Sequence, residues 1–398
     1  MKKIAGGITA AKGFYANGIR AGLKESGDYD MALVFSRAPC AAAGTFTRNK
    51  IRASCVDWCN RLLPADTITA LFCNSGNANA CTGTEGKRNN EIIAQELAAN
   101  IDSNMRSVLV ASTGVIGRQL PMKKITCRIP QLVQGAAAKN SRLFSRAIMT
   151  TDTVPKEYAV QVQAPGGTYR IGGSAKGSGM IHPDMATMLA FITTDAAIDK
   201  DVLHHSLKKT VGWTFNNLTV DGDCSTNDMA LALANGASGN GITSKKNIGL
   251  FEKALFDVCN NLCAKIAGDG EGATKRIEVN VTGGKTCRDA KLAAKAVANS
   301  NLVKTALFGN DPNWGRILCA IGYSGARFSK NTLLVSLCKM PVCKGPEPVA
   351  FPTGAMHNAL RKKVVVIDID LGLGTSCAVA HTCDLTYDYI KINAEYHT

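Results

Sequence analysis

The chain has 398 residues, of which 45% are hydrophobic, and a formal net charge of +15. This length exceeds one ordinary hydrophobic core, so we expect two domains or two lobes that share a site. No apolar run approaches 18 residues, which argues against a membrane-spanning helix, and the basic residues are spread along the chain, which disfavours nucleic-acid binding.

Segments typical of helices and of strands alternate along the chain. In chain order they are 93–101 (helix), 107–110 (strand), 255–266 (helix), 333–337 and 364–371 (strands). The helical segments repeat apolar residues every three or four positions, and the last strand alternates Val or Ile with Asp. This interleaving predicts an α/β or α+β protein in which helices cover layered sheets.

Glycine-rich clusters mark segments that we expect to be irregular. They lie at 74–79, 172–179 and 269–272, and each contains a polar or charged residue. A fourth turn-rich segment, 112–114, follows the strand at 107–110. Glycine lets a ligand or a second strand approach the backbone closely, so these clusters together indicate a site assembled from loops.

Several common sites are excluded by spacing. The chain has fifteen cysteines, an odd number, and no C-x-x-C pair. This pattern fits a protein of the reducing cytoplasm and argues against a zinc ribbon. The six histidines form no H-E-x-x-H motif, and Val279 replaces the first glycine that a P-loop requires. These patterns support neither a zinc site nor a phosphate-binding loop, and a nucleophilic enzyme would need a base other than histidine.

Residues 175–196 carry the most informative pattern in the chain. A glycine-rich loop leads through Pro183 to Thr187, and an apolar stretch, 188–192, follows. On composition alone Thr187 is a strand residue that follows a turn. The segment also resembles the self-cleavage site of the ornithine acetyltransferase (glutamate N-acetyltransferase) family of arginine biosynthesis, the ArgJ family.

Further motifs of this family follow in the same order over essentially the whole chain. They are GGITAAKGF (6–14), TFTRNK (45–50), NSGNANACTG (74–83), STGVIG (112–117), MTTDTVPK (149–156), TVDGDCSTND (219–228), DGEGATK (269–275), FGNDPNWGRI (308–317) and YIKINA (389–394). The sequence departs from the family's usual residues at Ala11, His182, Asn217 and Cys224.

The resemblance implies that the chain cleaves itself between Ala186 and Thr187. The products would be an α chain, 1–186, and a β chain, 187–398, that stay associated. Thr187 would then be the nucleophile, activated by its own freed α-amine, whose pKa of about 8 suits a general base. This arrangement explains how the enzyme works without a catalytic histidine.

The resemblance also implies roles for further residues. Thr113, through its hydroxyl, and Gly114, through its backbone N–H, would stabilise the oxyanion. The positions that match the family's substrate contacts are Thr150, Lys176, Thr187, Glu271, Asn393 and Thr398. Lys176 suits a substrate carboxylate, and Glu271 suits the side-chain ammonium of ornithine. Thr151 and Thr153 are close rivals of Thr150.

The implied activity is a ping-pong transfer of acetyl from N-acetylornithine to glutamate, within a self-cleaving fold like that of DmpA. This implied mechanism requires no metal and no organic cofactor. The implied assembly is a heterotetramer of two α and two β chains, and whether acetyl-CoA also donates acetyl stays open. One alternative is a self-processing amidohydrolase or aminopeptidase with an N-terminal nucleophile, in which water replaces glutamate. The second alternative is a basic nucleic-acid-binding protein.

Overall fold

Strands and helices alternate in the computed structural model, which describes residues 1–182 and 188–395. The strands are β1 Lys2–Ile4, β2 Phe14–Ile19, β3 Met31–Phe46, β4 Ala65–Asn77, β5 Val108–Val115, β6 Lys156–Ala164, β7 Gly167–Lys176, β8 Leu189–Thr194, β9 Met229–Ala234, β10 Arg276–Gly284, β11 Leu334–Leu337, β12 Met340–Lys344, β13 Glu347–Pro348, β14 Val364–Asp370 and β15 Ser376–Cys383. The helices are α1 Ser54–Leu62, α2 Gly83–Asn100, α3 Met122–Thr126, α4 Ile129–Gln134, α5 Ser141–Ala147, α6 Lys200–Trp213, α7 Lys245–Gly268, α8 Cys287–Asn299, α9 Asn301–Phe308, α10 Trp314–Tyr323, α11 Thr353–Leu360 and α12 Tyr387–Glu395.

Two sheets organise these elements. The larger has nine strands in the order β1-β6-β7-β8-β9-β3-β4-β5, with β2 paired to β3 beside this path. The smaller has six strands in the order β13-β12-β11-β14-β10-β15. The larger sheet is mixed, because β4 pairs with β5 and β8 with β9 in parallel while the other neighbours are antiparallel.

The larger sheet is covered on both faces. Along β8, Leu189 and Phe191 belong to a core shared with α1, α2 and α5, whereas Ala190 and Ile192 belong to a core shared with α6 and α7. Every residue of β8 is buried, as expected for a strand that packs on both faces. Helices α8 to α11 and the smaller sheet form a third core. The predicted α/β class with layered sheets is confirmed.

The predicted segments differ from the observed elements mainly at their ends. Residues 93–101 fall largely within α2, 255–266 within α7, and 364–371 largely within β14. The expected turn at 112–114 is wrong, because β5 continues to Val115 while it pairs in parallel with β4. Most of the cluster 172–179 is also strand rather than loop, since β7 runs to Lys176.

The predicted fragment boundary falls inside the larger sheet. Strand β8 pairs with β7, which precedes the boundary, and β9 pairs with β3, which also precedes it. The β8–β9 pair is therefore enclosed between strands of the α-chain range. In the described ranges, no helix combines the length and the apolar character that crossing a membrane requires.

Candidate active site

A cavity of about 330 Å³ brings together most of the predicted site residues. Those that line it are Thr113, Gly114, Thr150, Lys176, Glu271 and Asn393. Met188, which follows Thr187 in the chain, also lines it. Ala186, Thr187 and Thr398 lie outside the described residues.

The proposed oxyanion donors stand beside a cation. Thr113 is buried near the end of β5, and its hydroxyl accepts a hydrogen bond of 3.1 Å from Lys176 Nζ at the end of β7. A hydroxyl has one proton and two lone pairs, so this contact leaves the Thr113 proton available for another acceptor. The pair can therefore direct both a hydrogen bond and a positive charge at a developing oxyanion.

Gly114 occupies a backbone position that other residues fit poorly. Its φ is +131°, and a Cβ atom there would collide with the carbonyl carbon of Gly76 and lie 2.5 Å from the nitrogen of Asn77. Glycine therefore lets β5 approach β4 at this point, and it gives the backbone a left-handed φ at the cavity wall.

Asn227 fastens the end of β5 to the adjoining chain. Its side-chain nitrogen donates to the carbonyl oxygens of Ala78 at 2.6 Å and of Ser112 at 2.7 Å. Ser112 immediately precedes Thr113, so these bonds fix the backbone that carries the predicted oxyanion donors. Asn227 lines the cavity and is buried, which suits a rigid positioning role.

The opposite wall of the cavity carries a carboxylate. Asn393 of α12 donates through Nδ2 to Glu271 Oε2 at 3.0 Å. The backbone nitrogen of Glu271 donates to the carbonyl of Ser178 at 2.9 Å, and the Ser178 hydroxyl lies 2.7 Å from that of Thr151. Three loops and the last helix are thus joined around a negative group that suits a substrate ammonium.

A buried ion cluster supports this wall from behind. Lys156 Nζ lies 2.5 Å from Asp152 Oδ1 and 2.5 Å from Asp269 Oδ2, and the Lys156 side chain is only 1% exposed. Asp152 also accepts hydrogen bonds from the backbone nitrogens of Thr150 and Gly177. Burial alone would raise the pKa of the Asp152 carboxyl, but attraction to Lys156 and Lys176 and these hydrogen bonds lower it to about 2.

The described residues that flank the predicted cleavage segment are held on both sides. Asp221 accepts hydrogen bonds from the backbone nitrogens of Met180 at 2.6 Å and of Ile181 at 2.8 Å. On the other side, the carbonyl of Met188 accepts from the nitrogen of Met229 at 3.0 Å. The chain therefore enters and leaves residues 183–187 at two fixed places on the cavity wall.

Asp228 adds a second carboxyl to the cavity. It is 3% exposed, and its Oδ2 atom has no hydrogen-bond partner within residues 1–182 and 188–395. Burial raises the pKa of this carboxyl well above 3.8, although Lys176 and hydrogen bonds from Ser225 act in the other direction. Burial therefore favours the protonated form of Asp228 more than it does for an exposed aspartate.

Comparison with known proteins places the chain in a family. The model of the ArgJ family matches residues 15–398. A relative from Symbiobacterium thermophilum, named arginine biosynthesis bifunctional protein ArgJ, is 46% identical over 402 residues, which is 100% of both chains. This chain belongs to the ArgJ family.

Other members of the ArgJ family agree with this assignment. A relative of the same name from Geobacillus kaustophilus is 45% identical over 99% of this chain and 96% of its own. A crystal structure of arginine biosynthesis bifunctional protein argJ from Bacillus halodurans is 45% identical, with a TM-score of 0.51. That match covers 53% of this chain and 100% of the solved chain.

The four positions at which the sequence departs from the usual ArgJ residues make other contacts. His182 Nδ1 is 3.1 Å from the Thr219 hydroxyl, and Cys224 Sγ is 3.6 Å from that of Thr47. Asn217 is buried and donates to the carbonyl of Trp213, and Ala11 is buried in a core. None of these four side chains is among the described residues that line the cavity.

Sequence reasoning recognised the motifs of this ArgJ chain but left several of their residues without roles. Asn227 and Asp228 end the motif at 219–228, and Asp152 lies in the motif at 149–156. Thr153, a rival of Thr150, binds Asp269 instead, so the cavity favours Thr150 and Thr151.

In the described ranges, no three His, Cys, Asp or Glu side chains come together as a metal site.

Proposed function

We propose that this chain is a glutamate N-acetyltransferase that transfers acetyl from N2-acetyl-L-ornithine to L-glutamate, in the cyclic route of arginine biosynthesis. One observation carries the proposal beyond family membership. Proposed oxyanion donors, a cation and an anion line a single cavity together with Met188, the residue joined to Thr187. A substrate with a carboxylate and an ammonium group matches these charges.

The reaction proceeds in two halves. The Thr187 hydroxyl, assisted by its own α-amine, attacks the acetyl carbon of acetylornithine, and ornithine leaves. Thr113 and Gly114 stabilise the oxyanion that forms. Glutamate then enters the same cavity, and its amine takes the acetyl group from Thr187. Lys176 holds the carboxylate of either substrate, and Glu271 holds the side-chain ammonium of ornithine.

The dependence of ornithine release on glutamate tests this function against a hydrolase. Purified protein is mixed with acetylornithine, with and without glutamate, and free ornithine is measured over time. A transferase releases at most one equivalent of ornithine per site quickly without glutamate, and then turns over when glutamate is added. Rapid, continuous release without glutamate would instead identify the amidohydrolase that is the alternative.

Replacing Thr113 by alanine should lower kcat by about 10² to 10³-fold, because one oxyanion donor is lost. Thr113→Ser keeps the hydroxyl beside Lys176 and serves as the matched control, with a much smaller loss. Both are assayed by glutamate-dependent ornithine release after the cleaved fraction has been measured on a denaturing gel. Unchanged turnover in Thr113→Ala would remove Thr113 from the proposed oxyanion site.

Association of the two proposed fragments is supported by the larger sheet. Strands β8 and β9, which belong to 187–398, are hydrogen-bonded on both sides to strands of 1–186. We assign the working enzyme as a heterotetramer of two such pairs in the cytoplasm, where its fifteen free thiols would stay reduced.

Acetyl-CoA as an additional acetyl donor belongs to the same proposal. The relatives' names call them bifunctional, which favours a second activity in this family. Incubation with labelled acetyl-CoA and glutamate, without acetylornithine, tests it. Label in N-acetylglutamate supports the second donor, whereas its absence restricts the chain to acetylornithine.

A further inference from the structure

Asp228 is a cavity residue whose side chain the fold leaves partly unsatisfied. Its backbone carbonyl accepts a hydrogen bond from the backbone nitrogen of Thr47, but its carboxyl oxygen Oδ2 has no partner within the described ranges. A buried polar atom without a partner costs free energy, because it has lost its hydrogen bonds to water and gained none in the protein. Such a cost at a cavity wall points to a ligand-directed role.

The backbone places Asp228 close in the fold to Met188. Asp228 immediately precedes Met229, whose backbone nitrogen binds the carbonyl of Met188. Met188 is covalently joined to Thr187, and it lines the same cavity as Asp228. Asp228 therefore shares the cavity with the first described residue that follows Thr187 in the chain.

The surrounding charges leave Asp228 available for proton transfer. Among the described residues, the charged side chains that share the cavity with it are Lys176, at the end of β7, and Glu271, after α7. Lys176 Nζ is hydrogen-bonded to Thr113, and Glu271 accepts from Asn393. Burial raises the pKa of the Asp228 carboxyl well above 3.8, a shift in the direction that favours a proton donor.

We propose that Asp228 is a catalytic acid and base that exchanges a proton with the substrate nitrogen. The proposal rests on the proposed acetyl transfer and deepens it. The α-amine of Thr187 serves the hydroxyl of the nucleophile, whereas Asp228 serves the nitrogen that leaves or attacks. In the tetrahedral intermediate, the α-amine carries the proton of the Thr187 oxygen, and Asp228 carries the proton of the substrate nitrogen.

The proton balance closes over the two halves. In the first, the bond between the acetyl carbon and the ornithine nitrogen breaks, and the nitrogen takes the Asp228 proton; the hydroxyl proton of Thr187 passes to its α-amine. In the second, the glutamate amine forms the new amide and gives one proton to the Asp228 carboxylate. The Thr187 oxygen leaves with the proton held by its α-ammonium, and the enzyme returns to its first state.

Two acetyl donors with different leaving groups test this role in the Asp228→Asn variant. Acetylornithine must release an amine, which needs a proton, whereas p-nitrophenyl acetate releases a stable anion that needs none. We expect ornithine release to fall by about 10² to 10⁴-fold and the burst of p-nitrophenolate to stay within about threefold of the wild-type burst. Asp223→Asn, on an exposed residue of the same loop, is the matched control and should change neither rate.

The result that overturns the proposal is an Asp228→Asn enzyme that releases ornithine at the wild-type rate, or that loses both reactions equally. Rates are normalised to the cleaved, folded fraction. If the wild-type enzyme itself releases no ornithine, the proposed function fails, and this outcome is separate from the failure of Asp228.

A pH profile of the wild-type enzyme covers the case in which the variant does not fold or cleave. Ornithine release should decline on the alkaline side of the profile as the acid loses its proton. The p-nitrophenolate burst should lack that decline, because its leaving group needs no acid. Identical alkaline limbs for the two donors contradict the role of Asp228.

Discussion

Thr187→Ala should leave the chain uncut, at 42.0 kDa on a denaturing gel, and should abolish acetyl transfer. Without the hydroxyl, no ester with the Ala186 carbonyl can form, and no α-amine is set free at residue 187. Loss of a covalent nucleophile costs on the order of 10⁴-fold or more in kcat. This is the largest loss that we expect from any single substitution.

Thr187→Ser is the matched control, because it keeps a hydroxyl at the same position. It should give two fragments that copurify. After exposure to acetylornithine, mass spectrometry should find one acetyl group on the first residue of the second fragment, both in this variant and in the wild type. Circular dichroism is used to check that the Thr187→Ala protein is folded. A fully active wild-type enzyme that consists of one uncut chain contradicts the proposed mechanism.

The sequence predicts strands and helices well where apolar periodicity is sustained. Strand β14 alternates buried and more exposed residues, and α7 repeats buried residues along one face. Both elements can therefore be predicted without tertiary information. Glycine-rich segments are harder. Gly172 lies within β7, where a Cβ atom would collide with the carbonyl of Gly7. Glycine at this position therefore permits close packing and does not mark a loop.

The candidate site divides in the same way. Residues named by motif, such as Lys176 and Glu271, meet in one cavity, as family resemblance implies. Asp228 could not be assigned from sequence, because its significance depends on burial and on an oxygen without a described partner. Lys156 could not be assigned either, since Asp269, 113 residues away in the chain, becomes its neighbour only in the folded protein.

Lys156→Met should destabilise the protein by about 3–5 kcal/mol, because it leaves Asp152 and Asp269 buried without their shared cation. The matched control is Lys200→Met, whose ion pair with Asp66 is exposed to solvent and should contribute little to stability. Urea unfolding followed by circular dichroism measures both. A Lys156→Met midpoint no lower than that of Lys200→Met would contradict a stabilising role for the cluster.

The pH dependence of this loss identifies its cause. The pKa of Asp152 is lowered to about 2 in the folded protein, so its contribution to stability is present above about pH 4 and is lost as the pH falls towards 2. Without Lys156, the Asp152 carboxyl binds a proton more readily in the folded state. The stability deficit of Lys156→Met should therefore be largest near pH 7 and shrink below about pH 4, whereas a deficit caused only by lost packing would be independent of pH.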